Sequence, residues 1–272
     1  MEISVIIPTF KPKDYLWECL DSLKNQDIEK EKYEVLIILN GEKEPYYSDI
    51  LSYINKNQLS NFKLNYTNLA GVSNARNIGL DISQGENIVF IDDDDYISRN
   101  YLRALNDKVE ENTIVVTNNL MFGSLSKLKV KNNIEFIEDN YSNDIIKNKR
   151  NFDVVSRKII PKNIIGITRF RQELKNSEDT VFMIEISKNI KAIKTTSKNV
   201  IYYRRVRENS AHFRKKSKSK MIINYLIQSK YMLIFLMKKG YNKKLLIGRL
   251  LYLIKGILSL IKGILKKLLA LE

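Results

Sequence analysis

The sequence predicts an α/β protein: a Rossmann-like, mostly parallel sheet flanked by helices, followed by a C-terminal helical appendage. Three observations carry this expectation. Short β-branched runs alternate with helically spaced segments through the first third of the chain. Four consecutive aspartates, Asp92–Asp95, stand directly behind one of those runs, Asn87–Ile91. After a basic stretch, Arg214–Lys220, the chain repeats Leu and Ile at helical intervals with lysines between them.

Ile3–Ile7 is apolar, β-branched and short, the signature of a buried strand. Leu16, Leu20 and Leu23 then fall on one face of a helix over Asp14–Asn25. Tyr33–Leu39 is a second strand, closed by Asn40-Gly41, and Ile50, Leu51 and Ile54 predict a helix over residues 48–57. Phe62–Tyr66 reads as a strand, Ser73–Ser83 as a helix and Asn87–Ile91 as the strand that delivers the aspartates. From about 112 to 205 the pattern is less regular. Thr113–Thr117 and Val200–Tyr203 read as strands and Ser177–Ser187 as a helix. The polar, positive stretch near 214 divides a main domain, 1–213, from a basic amphipathic tail, 214–272. In doubly wound sheets, ligands bind beyond the carboxyl ends of strands. Pro8-Thr9-Phe10, Asn40-Gly41 and Asp92–Asp95 occupy three such ends, so one crevice is expected to gather them.

A chain of 272 residues suffices for one large α/β domain with an appendage, and 44% hydrophobic residues is ordinary for a globular protein. Cys19 is the single cysteine; it excludes an internal disulfide and is expected in the core of the first helix. Met1–Pro8 has no basic leader and its apolar run is short, so the protein is expected to stay in the cytoplasm, peripheral at the inner face of the cell membrane. The net charge of +15 is polarised: residues 1–150 hold 18 Lys and Arg against 24 Asp and Glu, whereas 151–272 hold 28 against 7. A basic second half implies an anionic partner: nucleic acid, a membrane surface or a phosphorylated substrate. In the tail, Leu253–Leu258 recurs seven residues later as Leu260–Leu265, and Lys255, Ser259, Lys262 and Lys266 form one stripe. Lysines interrupt the apolar arc too often for a bilayer span, but suit the headgroup region of an anionic membrane. A hairpin packed on the main domain or on a second copy is the alternative reading, compatible with the first. Nucleic acid is disfavoured, because the tail pairs its lysines with Leu and Ile and not with interleaved aromatics and arginines.

Four adjacent carboxylates repel one another, and a hard divalent cation is the usual remedy; a solvated acidic turn that caps the next helix is the plain alternative. Gly71-Val72-Ser73-Asn74-Ala75-Arg76-Asn77-Ile78-Gly79 is a second signal. Gly71 admits close backbone approach, Ser73 or Asn74 can cap a helix, and Arg76 sets a cation one turn in, where phosphate is attracted. An ordinary capped helix with a surface arginine is the alternative.

Together these segments resemble the inverting family 2 glycosyltransferases of GT-A fold, of the bacterial cell-surface polysaccharide type. The resemblance rests on Val5–Phe10, Gly71–Gly79, Gly85–Asp95, Ser177-Glu178-Asp179-Thr180 and Tyr202–Arg207 with Ser210 following, in that order, over roughly residues 1–213. It implies a catalytic domain, a nucleotide-sugar donor, with UDP-sugar favoured, and Mn²⁺ or Mg²⁺. It implies Asp94 as direct metal ligand, Asp92 at metal and nucleotide, and Asp93 and Asp95 shaping the loop or capping the helix that follows. Asp179 matches the family's general base, which strips a proton from the acceptor hydroxyl as that oxygen attacks the anomeric carbon; Glu178 orients the site or contacts the acceptor. First-turn acids of an ordinary helix are the alternative for that pair. Pro8, Thr9, Asn40 and Arg76 are expected at the nucleoside, although many relatives place an aspartate pair where this chain has Asn40-Gly41. Arg204 and Arg207, with Arg205, are candidates to close over the diphosphate, and His212, the one histidine, is a candidate further metal ligand. Trp17 is expected to pack in the core. The acceptor implied is a polysaccharide, a teichoic-acid-like polymer or a lipid-linked glycan, and homo-oligomers are compatible with the helical tail. A basic nucleic-acid binder or an inactive relative serving as an assembly module are the competing readings.

Overall fold

The computed structural model describes residues 1–123, 140–174, 176–206 and 217–268. The chain runs β1 (Ile3–Thr9), α1 (Tyr15–Lys24), β2 (Tyr33–Asn40), α2 (Tyr46–Lys56), β3 (Phe62–Thr67), α3 (Val72–Ile82), β4 (Asn87–Phe90), β5 (Tyr96–Ile97) and α4 (Tyr101–Asn106). It continues through β6 (Thr113–Val116), β7 (Asn118–Phe122), β8 (Tyr141–Ser142), β9 (Lys158–Pro161), α5 (Lys162–Ile165) and α6 (Glu178–Ile186). It ends with β10 (Ala192–Thr195), β11 (Ile201–Arg205), α7 (Lys218–Leu236) and α8 (Lys243–Leu268).

Eight strands form one sheet in the order β3-β2-β1-β4-β9-β6-β10-β8. The first four are parallel, β9 inserts antiparallel between β4 and β6, β10 is parallel to β6 and β8 closes the edge antiparallel. A three-stranded sheet, β5-β11-β7, lies beside it. Every residue of β1 and of β2 is buried, because both faces of the sheet are covered, and this is why those strands read as unbroken apolar runs. The pleat sorts their side chains. Val5, Ile7, Val35 and Ile37 pack with Leu16 and Leu20 of α1, whereas Ile6, Leu36 and Ile38 pack with Ala75 of α3 and Phe182 of α6. Helix α3 approaches β1 closely at Gly79, where a Cβ would fall 2.4 Å from Ile6 Cγ2. That approach fixes the height of α3, and of Arg76 on it, above the strand ends.

The strands and helices expected from the first third are present, with ends shifted by one or two residues. β5, α4, α5 and β7 to β10 were not legible, since they are short and lack the unbroken β-branched run that marks β4 and β6. The tail folds as an antiparallel hairpin: Gly256 of α8 faces Tyr225 of α7, and Gly263 faces Lys218. A Cβ on Gly256 would come within 2.6 Å of Tyr225 Cε2, so this glycine serves close packing inside the chain. The hairpin packs on α6, with Met232, Phe235, Leu246 and Leu253 against Val181 and Ile184. Among the described residues no helix is long and apolar enough to cross a membrane.

Candidate active site

The carboxyl ends of β1, β2 and β4 bring together Thr9, Asn40 and Asp92–Asp95, as doubly wound topology requires. Helices α3 and α6 add Arg76, Glu178 and Asp179. Arg76 is the centre of this group. Its side chain is 4% exposed, and it reaches three carboxylates: Nη2 stands 3.0 Å from Asp92 Oδ1, and Nη1 stands 2.5 Å from Asp179 Oδ1 and 3.4 Å from Glu178 Oε1. The guanidinium also lies over the Phe170 ring, 5.4 Å from its centroid. A buried cation among three acids has its charge fixed: burial alone would favour the neutral form, but Asp179, Asp92 and Glu178 hold Arg76 above its ordinary value. Asp92 and Asp179 are far apart in sequence, and one side chain joins them.

Asp179 sits in the first turn of α6, largely enclosed, with Val155 N–H donating to its Oδ2 at 3.3 Å. Burial raises its pKa above the ordinary carboxylate value, with Asp92 adding to the rise and Arg76 opposing it. Glu178 is also raised, first by burial and then by Asp179. An enclosed carboxyl with an elevated pKa and a restrained geometry is the condition a general base needs near neutral pH.

The acidic turn is braced from below by the small sheet. Asp95, 3% exposed, accepts the Tyr202 hydroxyl at 2.7 Å and the Arg205 N–H at 2.7 Å. Burial, followed by the charges of Asp92 and Asp94, pushes its pKa up to about 8. Asp92 N–H donates to Tyr202 Oη at 3.2 Å, and Arg205 Nε donates to the Asp94 carbonyl at 3.0 Å while Nη2 meets Glu18 at 2.7 Å. Asp95 is thus a structural anchor, and Asp92, Asp93 and Asp94 remain partly exposed at the mouth. Behind the turn, the buried Cys19 Sγ lies 3.8 Å from the Asp92 carbonyl; burial and then the four aspartates push its thiol well above the usual range.

Asn40 is buried, and its amide is engaged on both sides by the chain: Nδ2 donates to Thr9 O at 2.7 Å and Oδ1 accepts Gly71 N–H at 2.9 Å. It therefore ties β1 to the start of α3. Gly71, with φ of 148°, makes the sharp entry into that helix. Thr9 Oγ1 is buried and has no hydrogen-bond partner among the described residues, an orphaned polar group at a strand end. Pro8 lies one residue deeper in β1. Arg204 is partly buried on β11. Arg207, Ser210 and His212 fall outside the described residues. Trp17 stacks on Tyr53, 5.1 Å between centroids, and packs against the core.

Oxygen donors at the mouth fit a hard divalent ion. Among the described residues no three His, Cys, Asp or Glu side chains form a ready cage. A magnesium-like ion held by one or two carboxylates and completed by phosphate oxygens needs none. The residues that sequence reasoning missed are Tyr202 as brace, Val155 as donor to Asp179, and Lys158, fully buried on β9, with Nζ donating to the Val154 and Ser156 carbonyls at 2.5 and 3.1 Å. Tyr202 alone carried a signal, as an aromatic beside the arginine segment.

The family model for glycosyl transferase family 2 matches residues 4–166, more than half of the chain. The chain belongs to glycosyl transferase family 2. It is 30% identical to the poly(ribitol-phosphate) beta-glucosyltransferase of Bacillus spizizenii over 220 residues, 78% of this chain and 33% of that protein. It is 28% identical over 215 residues to the poly(ribitol-phosphate) beta-N-acetylglucosaminyltransferase TarS of Staphylococcus aureus, 76% of this chain and 36% of the relative. The chain thus spans about a third of the length of these family 2 relatives. Crystal structures share its fold: S. aureus TarS 1–349 with UDP-GlcNAc superposes with a TM-score of 0.74 at 23% identity, covering 95% of this chain and 73% of that one. The mannosyltransferase PcManGT from Pyrobaculum calidifontis, in complex with GDP-Man and Mn²⁺, does so with a TM-score of 0.64 at 13% identity. The fold is GT-A, as the family 2 resemblance implied.

Proposed function

We propose that this chain is an inverting, metal-dependent glycosyltransferase that moves a sugar from a UDP-sugar to a hydroxyl of a cell-surface polymer of teichoic-acid type or of a lipid-linked glycan. The observation that carries the reading is Arg76, which holds Asp92 of the acidic turn and Asp179 of α6 in one crevice. The names of the relatives and of the UDP-GlcNAc complex support the donor and acceptor classes.

In this reading Thr9 and Pro8 line the nucleoside side, and the orphaned Thr9 hydroxyl gains a partner when donor binds. Asn40 holds that wall through Thr9 O and Gly71 N–H. Asp92 and Asp94, with Asp93 shaping the turn, face the diphosphate, and Arg204, Arg207 and His212 are the further candidates to contact diphosphate or metal. Asp92 and Asp94 would hold a Mn²⁺ or Mg²⁺ ion there, which would neutralise charge developing on the departing nucleoside diphosphate. Asp179 takes the proton of the acceptor hydroxyl; that oxygen bonds to the anomeric carbon from the face opposite the leaving group, and the bond from carbon to phosphate oxygen breaks, inverting the centre. Glu178, beside Arg76, keeps the base oriented.

The tail is assigned to an anionic membrane surface at the inner face of the cell membrane. On α8, Ile247, Leu251, Ile254, Leu258 and Ile261 form an exposed apolar stripe, with exposed Lys255 and Lys262 along its edge. A second copy is the competing occupant of that stripe. The deciding experiment is a panel of UDP-glucose, UDP-N-acetylglucosamine and other donors with manganese and poly(ribitol phosphate). Turnover of one UDP-sugar is expected, and no turnover with no UDP binding overturns the reading.

A further inference from the structure

Between the 3-10 turn Lys149–Phe152 and β9, the chain crosses behind Asp179 and touches it through one main-chain group, Val155 N–H. Three anchors hold that crossing. Thr180, the neighbour of Asp179 on α6, donates its hydroxyl to Asp153 O at 3.2 Å. Lys158 donates from its buried Nζ to the carbonyls of Val154 and Ser156, the two that flank Val155. The third anchor comes from the tail: Arg249 of α8 pairs with the Asp153 carboxylate and donates to Lys149 O at 3.4 Å. Arg249 lies outside residues 4–166, the stretch that the family model matches.

We propose that Arg249 is a positioning residue for the acceptor half of the site: by holding Asp153 it sets where Val155 N–H meets Asp179, so the helical tail works on the base as well as on a surface. The proposal rests on Asp179 being the base. The packing of α7 and α8 on α6 gives the tail a second grip on the same element, through Met232 and Leu246 against Val181 and Ile184. Tyr231 of α7 also donates to Glu173, shortly before Asp179. A displacement of about 1 Å at a catalytic group can cost on the order of 100-fold in rate, so the crossing need move only slightly to be felt.

The titratable and charged groups that face Asp179 are Arg76 from α3, Asp92 from behind β4, Glu178 from its own helix and Lys158 from β9. Removing Arg249 leaves all four in place and loosens one N–H donor. An N–H bonded to a carboxylate favours its ionised form, so loss of that donor raises the pKa of the base and moves the acid limb of kcat to higher pH.

The test uses the full chain with manganese, the UDP-sugar active in the donor panel and poly(ribitol phosphate) as acceptor. Arg249→Gln is expected to lower kcat by about 5- to 20-fold, to leave the donor KM within about twofold and to shift the acid limb upward by several tenths of a pH unit. Asp153→Asn breaks the same pair from the other side and should give the same shift, with the double variant no worse than either single one. Arg249→Lys should restore part of kcat. An unmoved acid limb, with kcat falling only in proportion to the folded fraction, overturns the assignment. Asp179→Asn is run alongside: its loss of transfer with an unmoved limb in Arg249→Gln overturns this inference alone, and its retention of transfer overturns the base reading and this inference together.

Discussion

Arg76 Nη1 lies 2.5 Å from Asp179 Oδ1, and the same guanidinium holds Asp92, so the acidic turn and the candidate base share one cation. Arg76 is almost fully buried, and its three acids would be left facing one another without it. Arg76→Met is therefore expected to destabilise the fold by about 3–5 kcal/mol, the range for removing one partner of a buried ion pair. Arg76→Lys offers a single ammonium in place of a fork, cannot bridge both ends, and should lie between the two. Urea unfolding of the three proteins measures the order.

Asp179→Asn keeps the shape of the carboxyl and removes its basicity. Transfer is expected to fall by about 10²- to 10⁴-fold while UDP binding is kept. In the unaltered protein kcat should fall as pH drops through the elevated pKa of Asp179, so the acid limb lies above the ordinary aspartate value of about 4. A rate profile against pH, with UDP binding followed separately by calorimetry, checks both statements.

Asp95 gives a stability prediction with a definite sign. Its pKa is about 8 in the folded chain and about 4 unfolded, so the folded state favours the protonated form. The stabilisation is complete below pH 4 and is lost as pH rises from 4 towards 8. In chelated, metal-free buffer the protein should lose on the order of 1–3 kcal/mol across that window, and Asp95→Asn should flatten the slope. Thermal midpoints from pH 5 to 8 provide the measurement.

Asn40→Ala removes the amide that spans Thr9 O and Gly71 N–H. One buried main-chain acceptor and one partly exposed donor lose a partner, so a loss of about 1–3 kcal/mol is expected, together with weaker UDP binding. Asn40→Asp keeps the acceptor for Gly71 but loses the donor to Thr9, and should be intermediate in thermal stability.

Lys255→Glu with Lys262→Glu reverses two charges at the edge of the exposed stripe of α8. At about 1 kcal/mol for each lysine near an anionic surface, association with phosphatidylserine vesicles should weaken by at least about 10-fold. Co-sedimentation at low and high salt reads the change, and sedimentation of the lipid-free protein reports self-association through the same stripe.

Much of this architecture was legible because burial on both faces writes strands such as β1, β2 and β4 as continuous apolar runs. The amphipathic face of α1 and the block of acids behind β4 were equally plain. The wiring was not. Arg76 offered itself as a phosphate-binding cation, and its three-way link to Asp92, Glu178 and Asp179 depends on how closely α3 settles on β1 at Gly79. Asn40 has the chemistry of a ligand contact, yet its amide is taken up by one main-chain group at the end of β1 and one at the start of α3. Lys158 stands in a strand of four residues, where no pattern announces that its ammonium turns inward. Arg249 looks like one more basic residue in a basic tail, and its partner is nearly a hundred positions away.

The thiol of Cys19, the single one in the chain, is walled in beneath the aspartate turn. A maleimide can reach it only when the packing around α1 opens, so the pace of labelling reports that opening. Nucleotide with manganese should slow that pace, which makes one native side chain a built-in reporter of occupancy that needs no sugar transfer to be observed.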